Sequence, residues 1–304
     1  MQAAAEVRVL QPDQSLVETR FDAEQGVYWG FMNARPRSCF SPQLLVELRT
    51  FVDSLVNSSG QLGSFGQTAR VRYAVIASKT PGVFSLGGDL ALFRAAIQRK
   101  DRDHLLHYGR QCVDNLFPWH RNCDLPLTTI SLVQGEALGG GFECALASSV
   151  LIAEESSRMG FPEILFNLFP GMGAYSYLSR KVGRRITEEL ITSGAVYSAR
   201  QLYDMGVVDV ITPDGTGEAA VYGYIKKHSR AGNGRRALEQ VRNELQPVTR
   251  EELIRVVEIW ADAAMKLEER DLKMMDRLVR AQERSATRGE TSGNVIPLVV
   301  GGND

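Results

Sequence analysis

A chain of 304 residues, 44% of them hydrophobic, with 35 basic against 36 acidic side chains and a formal net charge of −1, has the composition of a globular protein. The balanced charge supplies no overall field for a phosphate backbone, and no arginine or lysine block supplies one locally, so nucleic acid is excluded as a partner. The length allows two domains, or one large core of about 200 to 250 residues with an appendage.

The first ten residues, MQAAAEVRVL, lack the basic and apolar regions of a secretion signal, and no apolar run reaches the roughly 18 residues of a spanning helix. A cytoplasmic chain without membrane contact is expected. From Val7 to Met32 short apolar runs alternate with turn-like Gln11-Pro12-Asp13 and Asp22 to Gly26, the pattern of antiparallel strands. Ser41-Pro42 is an N-cap followed by a first-turn proline, and Leu44, Leu48, Phe51, Val52 and Leu55 recur at helical spacing. Asn57 to Gln67 (NSSGQLGSFGQ) reads as a loop, Val71 to Ser78 as a buried strand, and Asp89 to Arg99 as a helix. A strand at Thr128 to Val133, a glycine-rich turn, a helix from about Gly141 and a strand at Val150 to Ala153 repeat the order, which argues for an α/β core. After Pro170 the chain reads as mainly helical, with Ser198 capping ARQLYDMG and Gly206 closing it before a strand-like VVDVI. Thr212 to Gly217 (TPDGTG) marks a boundary between residues 1–215 and a charged helical region at 216–284, and 285–304 reads as a mobile tail.

Cys39, Cys112, Cys123 and Cys144 contain no CxxC pair and have no histidine at metal-ligand spacing, so a reducing compartment is expected and no metal site. His104, His107, His120 and His228 form no ligand set and read as solvated. No cofactor is called for. Gly171 to Ser176 approaches GxGxxG but follows no strand and lacks the later acidic partner; it reads as a turn before a helix.

The informative feature is where charge is absent. Between Ala137 and Ala153 the only charged residue is Glu143, and between Met159 and Gly173 it is Glu163. An ionised carboxylate is costly to bury and tends to raise its pKa, as an acid/base catalyst near neutral pH requires. Singly, Glu143 can be a first-turn acid favoured by the helix dipole, and Glu163 a surface residue beside Pro162. Two such cases within 20 residues tilt the reading towards catalysis. Gly139-Gly140-Gly141 lies between strand and helix, where backbone N–H groups can form an oxyanion hole or simply allow a tight turn. Phe84 to Leu90 (FSLGGDL) is a second such turn, in which Gly88 could give a second N–H and Asp89 reads as an N-cap.

Gly87-Gly88-Asp89, then QGEALGGGFE (134–143), then GFPEILFNLFPGMGAY (160–175), with NARP (33–36) and SARQLYDMGVVDV (198–210), resemble the crotonase or enoyl-CoA hydratase/isomerase superfamily over about residues 20 to 215. The resemblance implies a crotonase-like spiral of ββα units, a C-terminal helical region that closes the pocket and supports a homotrimer or dimer of trimers, and a thioester site. Carried over by position, it implies Glu143 and Glu163 as the acid/base pair and Gly88 and Gly140 as oxyanion-hole donors. Leu86, Gly87, Leu138, Gly139, Phe166, Leu168, Met172, Gly173 and Trp260 are implied to contact substrate, with Phe169 a further lining candidate; Trp260 reads equally as a helix-packing residue.

Keeping both glutamates points, by the same resemblance, to adding or removing water across C2 and C3. VFSLGGDLALF, PEILFNLFPGMGAYSYL, EIWADAAMKL (258–267) and MDRLVRAQ (275–282) are similar to diffusible-signal-factor synthases, whereas ordinary hydratases end in an EG-like motif and a pocket-closing phenylalanine; here Lys266 to Arg284 is charged. The implied activity is dehydration of a 3-hydroxyacyl group on acyl carrier protein to a cis-2-enoyl thioester, followed by hydrolysis. No GxSxG is present, and Ser64 in LGSFG does not fit the elbow spacing. The alternatives are an enoyl-CoA hydratase, and a non-catalytic regulatory partner docked to a sensor kinase's receiver or an associated domain. For an acidic carrier protein, Arg180 to Arg185 (RKVGRR) and the C-terminal arginines are the expected basic patches.

Overall fold

The computed structural model describes residues 15–64 and 67–288; the expected turn at Gln11-Pro12-Asp13 and residues 289–304 of the expected tail lie outside the described residues. β1 (Val17–Asp22) and β2 (Val27–Met32) form the expected antiparallel pair, turning at Gly26 with φ +62°. α1 (Pro42–Asn57) follows, with the Ser41 hydroxyl accepting from the Leu44 N–H at 3.2 Å and the five stripe residues buried. Asn57 to Gln67 is not all loop: β3 (Gln61–Ser64) and β4 (Gln67–Arg70) pair as a hairpin. Leu62 is buried while Gln61 and Gly63 are exposed, so a short backbone ladder anchored by Leu62 forms where no apolar run announces it.

The centre of the chain then coils. β5 (Tyr73–Ser78), β6 (Val83–Ser85) and α2 (Leu90–Gln98) make one unit. After α3 (Arg102–His120), β7 (Thr128–Val133), β8 (Glu136–Leu138) and α4 (Gly140–Leu146) make the next, and β9 (Val150–Glu154) and β10 (Arg158–Gly160) open a third. The first strand of each unit joins one sheet and the second joins another, which is the spiral of ββα units. α5 (Ala174–Thr192), β11 (Val196–Ser198), α6 (Ala199–Asp204) and β12 (Val210–Thr212) complete both sheets, with α6 closed by a Ser198/Gln201 capping box. The larger sheet runs β1-β2-β5-β7-β9-β12, parallel from β2 onward; the smaller runs β11-β10-β8-β6, with β6, β8 and β10 parallel.

α3 falls where the sequence reading assigns no element. Its interior Pro118 and polar residues mask a regular stripe of Leu105, Cys112, Val113, Leu116 and Trp119, all buried. α7 (Gly217–His228) begins just past TPDGTG and places Val221, Tyr224 and Ile225 on the outer face of the large sheet, over Trp29, Ile130 and Ile152. Both faces of that sheet are thereby covered, which explains continuous apolar strands such as β2. α8 (Gly232–Leu245) is mostly exposed, α9 (Arg250–Ala264) packs on α3, and α10 (Glu269–Arg288) on α2, carrying helix into the first four residues of the expected tail.

Replacing Ser41 by alanine removes the α1 cap. The expected loss is about 1 kcal/mol of stability, read as a lower urea midpoint with unchanged slope.

Candidate active site

The site arises where β6, β8 and β10 end at one level. Their register pairs Ser85 with Ala137, Met159 with Ala137 and Gly160 with Leu138, and the Gly139 N–H donates to the Gly160 carbonyl at 2.9 Å. The turn after β6 carries Leu86, Gly87 and Gly88; the turn after β8 carries Gly139 and Gly140; the 3-10 turn Pro162–Phe166 after β10 carries Glu163. The two glycine turns touch: a Cβ at Gly87 would lie 2.7 Å from the Leu138 carbonyl oxygen and 3.0 Å from the Gly140 nitrogen, and one at Gly140 would lie 3.4 Å from the Gly88 nitrogen. At Gly139, φ is +52°, which favours glycine, and a Cβ would lie 2.4 Å from Glu163 Oε1, so a side chain there would displace that carboxylate. Asp89 is the N-cap of α2: Oδ1 accepts from the Leu92 N–H at 3.1 Å and Oδ2 pairs with Arg37 at 3.0 Å.

Glu143, one turn into α4, is 1% exposed, and its Oε1 accepts from the Met172 N–H at 2.8 Å and the Ala174 N–H at 3.0 Å. Burial pushes its carboxyl up to about 7, and backbone donors at residues 172–174 hold it from rising further. Glu163 is only half-buried as a residue, yet its Oε2 is shielded and has no hydrogen-bond partner. Burial and then the charge of Glu143 push it up to about 8. The pair is therefore asymmetric in its surroundings: backbone N–H donors favour the ionised form of Glu143, whereas Oε2 of Glu163 has no donor.

The structure brings nearly all the expected residues to one cavity. Leu86, Gly87, Gly88, Gly139, Gly140 and both glutamates form its polar end; Phe166, Leu168, Met172 and Trp260 also line it. Trp260 serves both roles considered for it, since its ring also lies under Gly171, where a Cβ would approach to 2.4 Å, and edge-on to Phe93 at 5.2 Å. Leu138, Gly173 and Phe169 are not among the lining residues. Leu138 instead backs the Gly87 turn with its carbonyl, Gly173 (φ +131°) turns the chain into α5 against the Tyr177 ring, and Phe169 packs on the main core. Gly171 to Ser176 is the expected turn into a helix.

The apolar remainder of the cavity has no local signature in the sequence. It runs between α1 and α3, lined by Leu45, Leu48 and Phe51 from one and Cys112, Asn115 and Trp119 from the other. The α1 stripe read only as a core face, and the signal in α3 was its periodicity. All four cysteines are free and buried. His104 and His107 are exposed, but His120 corrects the solvated reading: it packs on Tyr177 at 4.8 Å, and burial holds it down to about 4, neutral. Arg180, Lys181 and Arg184 of RKVGRR are already paired with Glu252, Asp209 and Glu188, which weakens that segment as a carrier patch. Among the described residues no helix is long and apolar enough to cross a membrane.

A family model for enoyl-CoA hydratase/isomerase matches residues 50–279. The chain belongs to this family. Mouse mitochondrial methylglutaconyl-CoA hydratase is 30% identical over 195 residues, 64% of this chain and 57% of that protein. A probable enoyl-CoA hydratase of Bacillus subtilis is 29% identical over 179 residues, 59% and 63% of the two chains. The chain thus spans less than two thirds of the length of either relative. Human mitochondrial delta3-delta2-enoyl-CoA isomerase superposes with a TM-score of 0.72 at 17% identity, covering 89% of this chain and 99% of that one. DspI of Pseudomonas aeruginosa does so at 0.62 and 22% identity, covering 83% and 98%. At these identities the two structures speak for the enoyl-CoA hydratase/isomerase fold alone.

Both glutamate pKa values stand above the ordinary 4.5, so the folded state holds protons that the unfolded chain releases. Their contribution to stability is therefore full below about pH 4.5 and is lost as pH rises through 7 and 8. Glu163→Gln removes one of these losses. In thermal melts the variant should gain on the wild type at pH 8.5 and match it near pH 4.5; a gap that does not change with pH contradicts the buried-carboxyl account.

Proposed function

We propose that the chain dehydrates a 3-hydroxyacyl thioester carried on acyl carrier protein and then hydrolyses the product, releasing a free cis-2-unsaturated fatty acid of the signalling kind. The observation that carries this reading is the enclosed, asymmetric carboxylate pair beside two touching glycine turns, at the polar end of an apolar cavity. The family supplies thioester chemistry, and the retained pair supplies the means to move water.

In the dehydration step, ionised Glu143 takes the C2 proton while protonated Glu163 gives its proton to the departing C3 hydroxyl. Backbone N–H groups at Gly88 and Gly140 stabilise the charge that develops on the thioester oxygen. The step leaves Glu143 protonated, Glu163 ionised and one water released. Glu163 then activates a water for attack on the carbonyl carbon, the C–S bond breaks, and Glu143 protonates the thiolate. Both glutamates return to their starting states, and the water consumed balances the water released. The same N–H groups hold the tetrahedral intermediate, so no separate nucleophile is required. Four buried free cysteines accord with a cytoplasmic setting.

An enoyl-CoA hydratase is the second reading, favoured by the names of the curated relatives. Supplying 3-hydroxydodecanoyl acyl carrier protein separates the two. Mass spectrometry should detect free cis-2-dodecenoic acid; turnover of trans-2-enoyl-CoA alone would decide for the hydratase. No turnover of either thioester, with binding to a receiver domain, would decide for a regulatory partner. Glu143→Ala and Glu163→Ala should each lower the rate by roughly 100-fold or more. Since the active form needs Glu143 ionised and Glu163 protonated, the pH–rate profile should be a bell with limbs near 7 and 8. A flat profile from pH 6 to 9 would remove the pair from the chemistry.

A further inference from the structure

One polar side chain that lines the cavity has no part in the acid/base chemistry. Asn115, on α3, is 8% exposed and lines the cavity among Leu45, Leu48, Leu116 and Trp119. Its Nδ2 donates to the Gln111 carbonyl at 2.9 Å and to the Leu45 carbonyl at 3.2 Å. Both amide hydrogens are committed to carbonyls, which fixes the orientation of the amide and leaves Oδ1 as its free acceptor. Oδ1 is shielded and has no hydrogen-bond partner. The nearby Trp119 indole N–H is spent on the Ser148 hydroxyl at 2.8 Å. A buried amide oxygen without a donor is unfavourable, and most such atoms in folded proteins are paired.

The depth of Asn115 can be read along the helices. α1 and α3 run in the same direction beside the cavity: the Tyr108 hydroxyl donates to the Phe40 carbonyl at one end, Asn115 meets Leu45 further in, and Phe51 packs on Trp119 at the far end. Tyr108 marks the level of the glycine turns, since its hydroxyl lies 3.5 Å from where a Cβ on Gly88 would be. Asn115 is two helical turns beyond Tyr108, roughly 10 Å along the axis. A chain whose thioester sits at the glycine turns and whose C3 lies between the glutamates therefore passes Asn115 with carbons well beyond C3.

We propose that Asn115 determines acyl specificity: its Oδ1 accepts a hydrogen bond from a hydroxyl carried on the acyl chain about two helical turns from the thioester, and a plain hydrocarbon covering Oδ1 binds less tightly. The proposal rests on the reading that this cavity holds an acyl thioester. Its physical basis is an asymmetry of recognition. A site built to bond a hydroxyl loses affinity for the analogue lacking it, because the buried acceptor is then left unpaired.

The experiment measures binding rather than turnover. Dodecyl pantetheine thioethers, plain or bearing one hydroxyl at each of carbons 6 to 10, are titrated by calorimetry into wild type and Asn115→Leu. Leucine is close in size, and the Leu45 and Gln111 carbonyls it abandons lie within helices that use them as acceptors, so the fold should persist. Asn115→Ala is the second variant should leucine prove too bulky.

One hydroxylated isomer should bind wild type about tenfold more tightly than the plain chain. In both variants that advantage should vanish, with the leucine variant binding the plain chain more tightly than wild type does. The proposal is overturned if the plain chain matches or exceeds every isomer in wild type, or if the preference survives in the variants. Failure of the catalytic reading looks different: binding and preference persist while no 3-hydroxyacyl thioester is turned over. Absence of binding by every chain overturns both.

Discussion

A Cβ at Gly87 would lie 2.7 Å from the Leu138 carbonyl, and one at Gly141 would lie 2.2 Å from the Ser85 carbonyl, so the turns after β6 and β8 can meet only as bare backbone. This contact is the constraint on which the site depends. It brings the start of α4 against the end of β6, and with it Gly140 against Gly88 and Glu143 into the interior. The parallel register of β6, β8 and β10 repeats the arrangement once more and delivers Glu163 over Gly139. Three successive coils of the spiral thus end in one corner, each contributing a different chemical part.

Burying two acids so close together has to be offset elsewhere. Glu143 is offset by the loop from Met172 to Ala174, whose N–H groups point at its carboxylate; that loop is in turn held from beneath by Trp260 against Gly171. α9, far along the chain, thus packs beneath the loop whose N–H groups meet the Glu143 carboxylate. Glu163 receives no such help at Oε2, and in the proposed reaction that difference is what would separate a proton acceptor from a proton donor.

The parts of the fold that are legible in the sequence are those whose signals are local. Ser41, Asp89 and Ser198 are caps with their side-chain bonds in place, and the strand boundaries at Thr128–Val133 agree with the structure. The two glutamates were legible because an isolated charge in an apolar stretch is conspicuous in one dimension. Other features depend on contacts between distant segments. Leu62 anchors a hairpin, α3 hides its stripe behind Pro118, and His120 is desolvated by burial and packs on Tyr177 from α5. Leu138 and Gly173 neighbour true lining residues in sequence, but the turns they occupy aim them into the scaffold.

The near-neutral total charge conceals a similar division. Arg180, Lys181 and Arg184, which stand out as a basic run, are consumed in pairs that tie α5 to α9, to the segment before β12, and to itself. The first two pairs are partly shielded from solvent and link elements that position the loop around Glu143. A basic run can thus belong to the scaffold of the active site rather than to a surface for a carrier. α8 is different: Arg236 and Arg242 lie on a mostly exposed helix beside exposed Leu238, Val241 and Leu245, while Arg235 donates to the Tyr224 hydroxyl at 2.8 Å. Charge that already has a partner inside the fold contributes little to steering a second molecule, so where the unpaired charges lie matters more than their total.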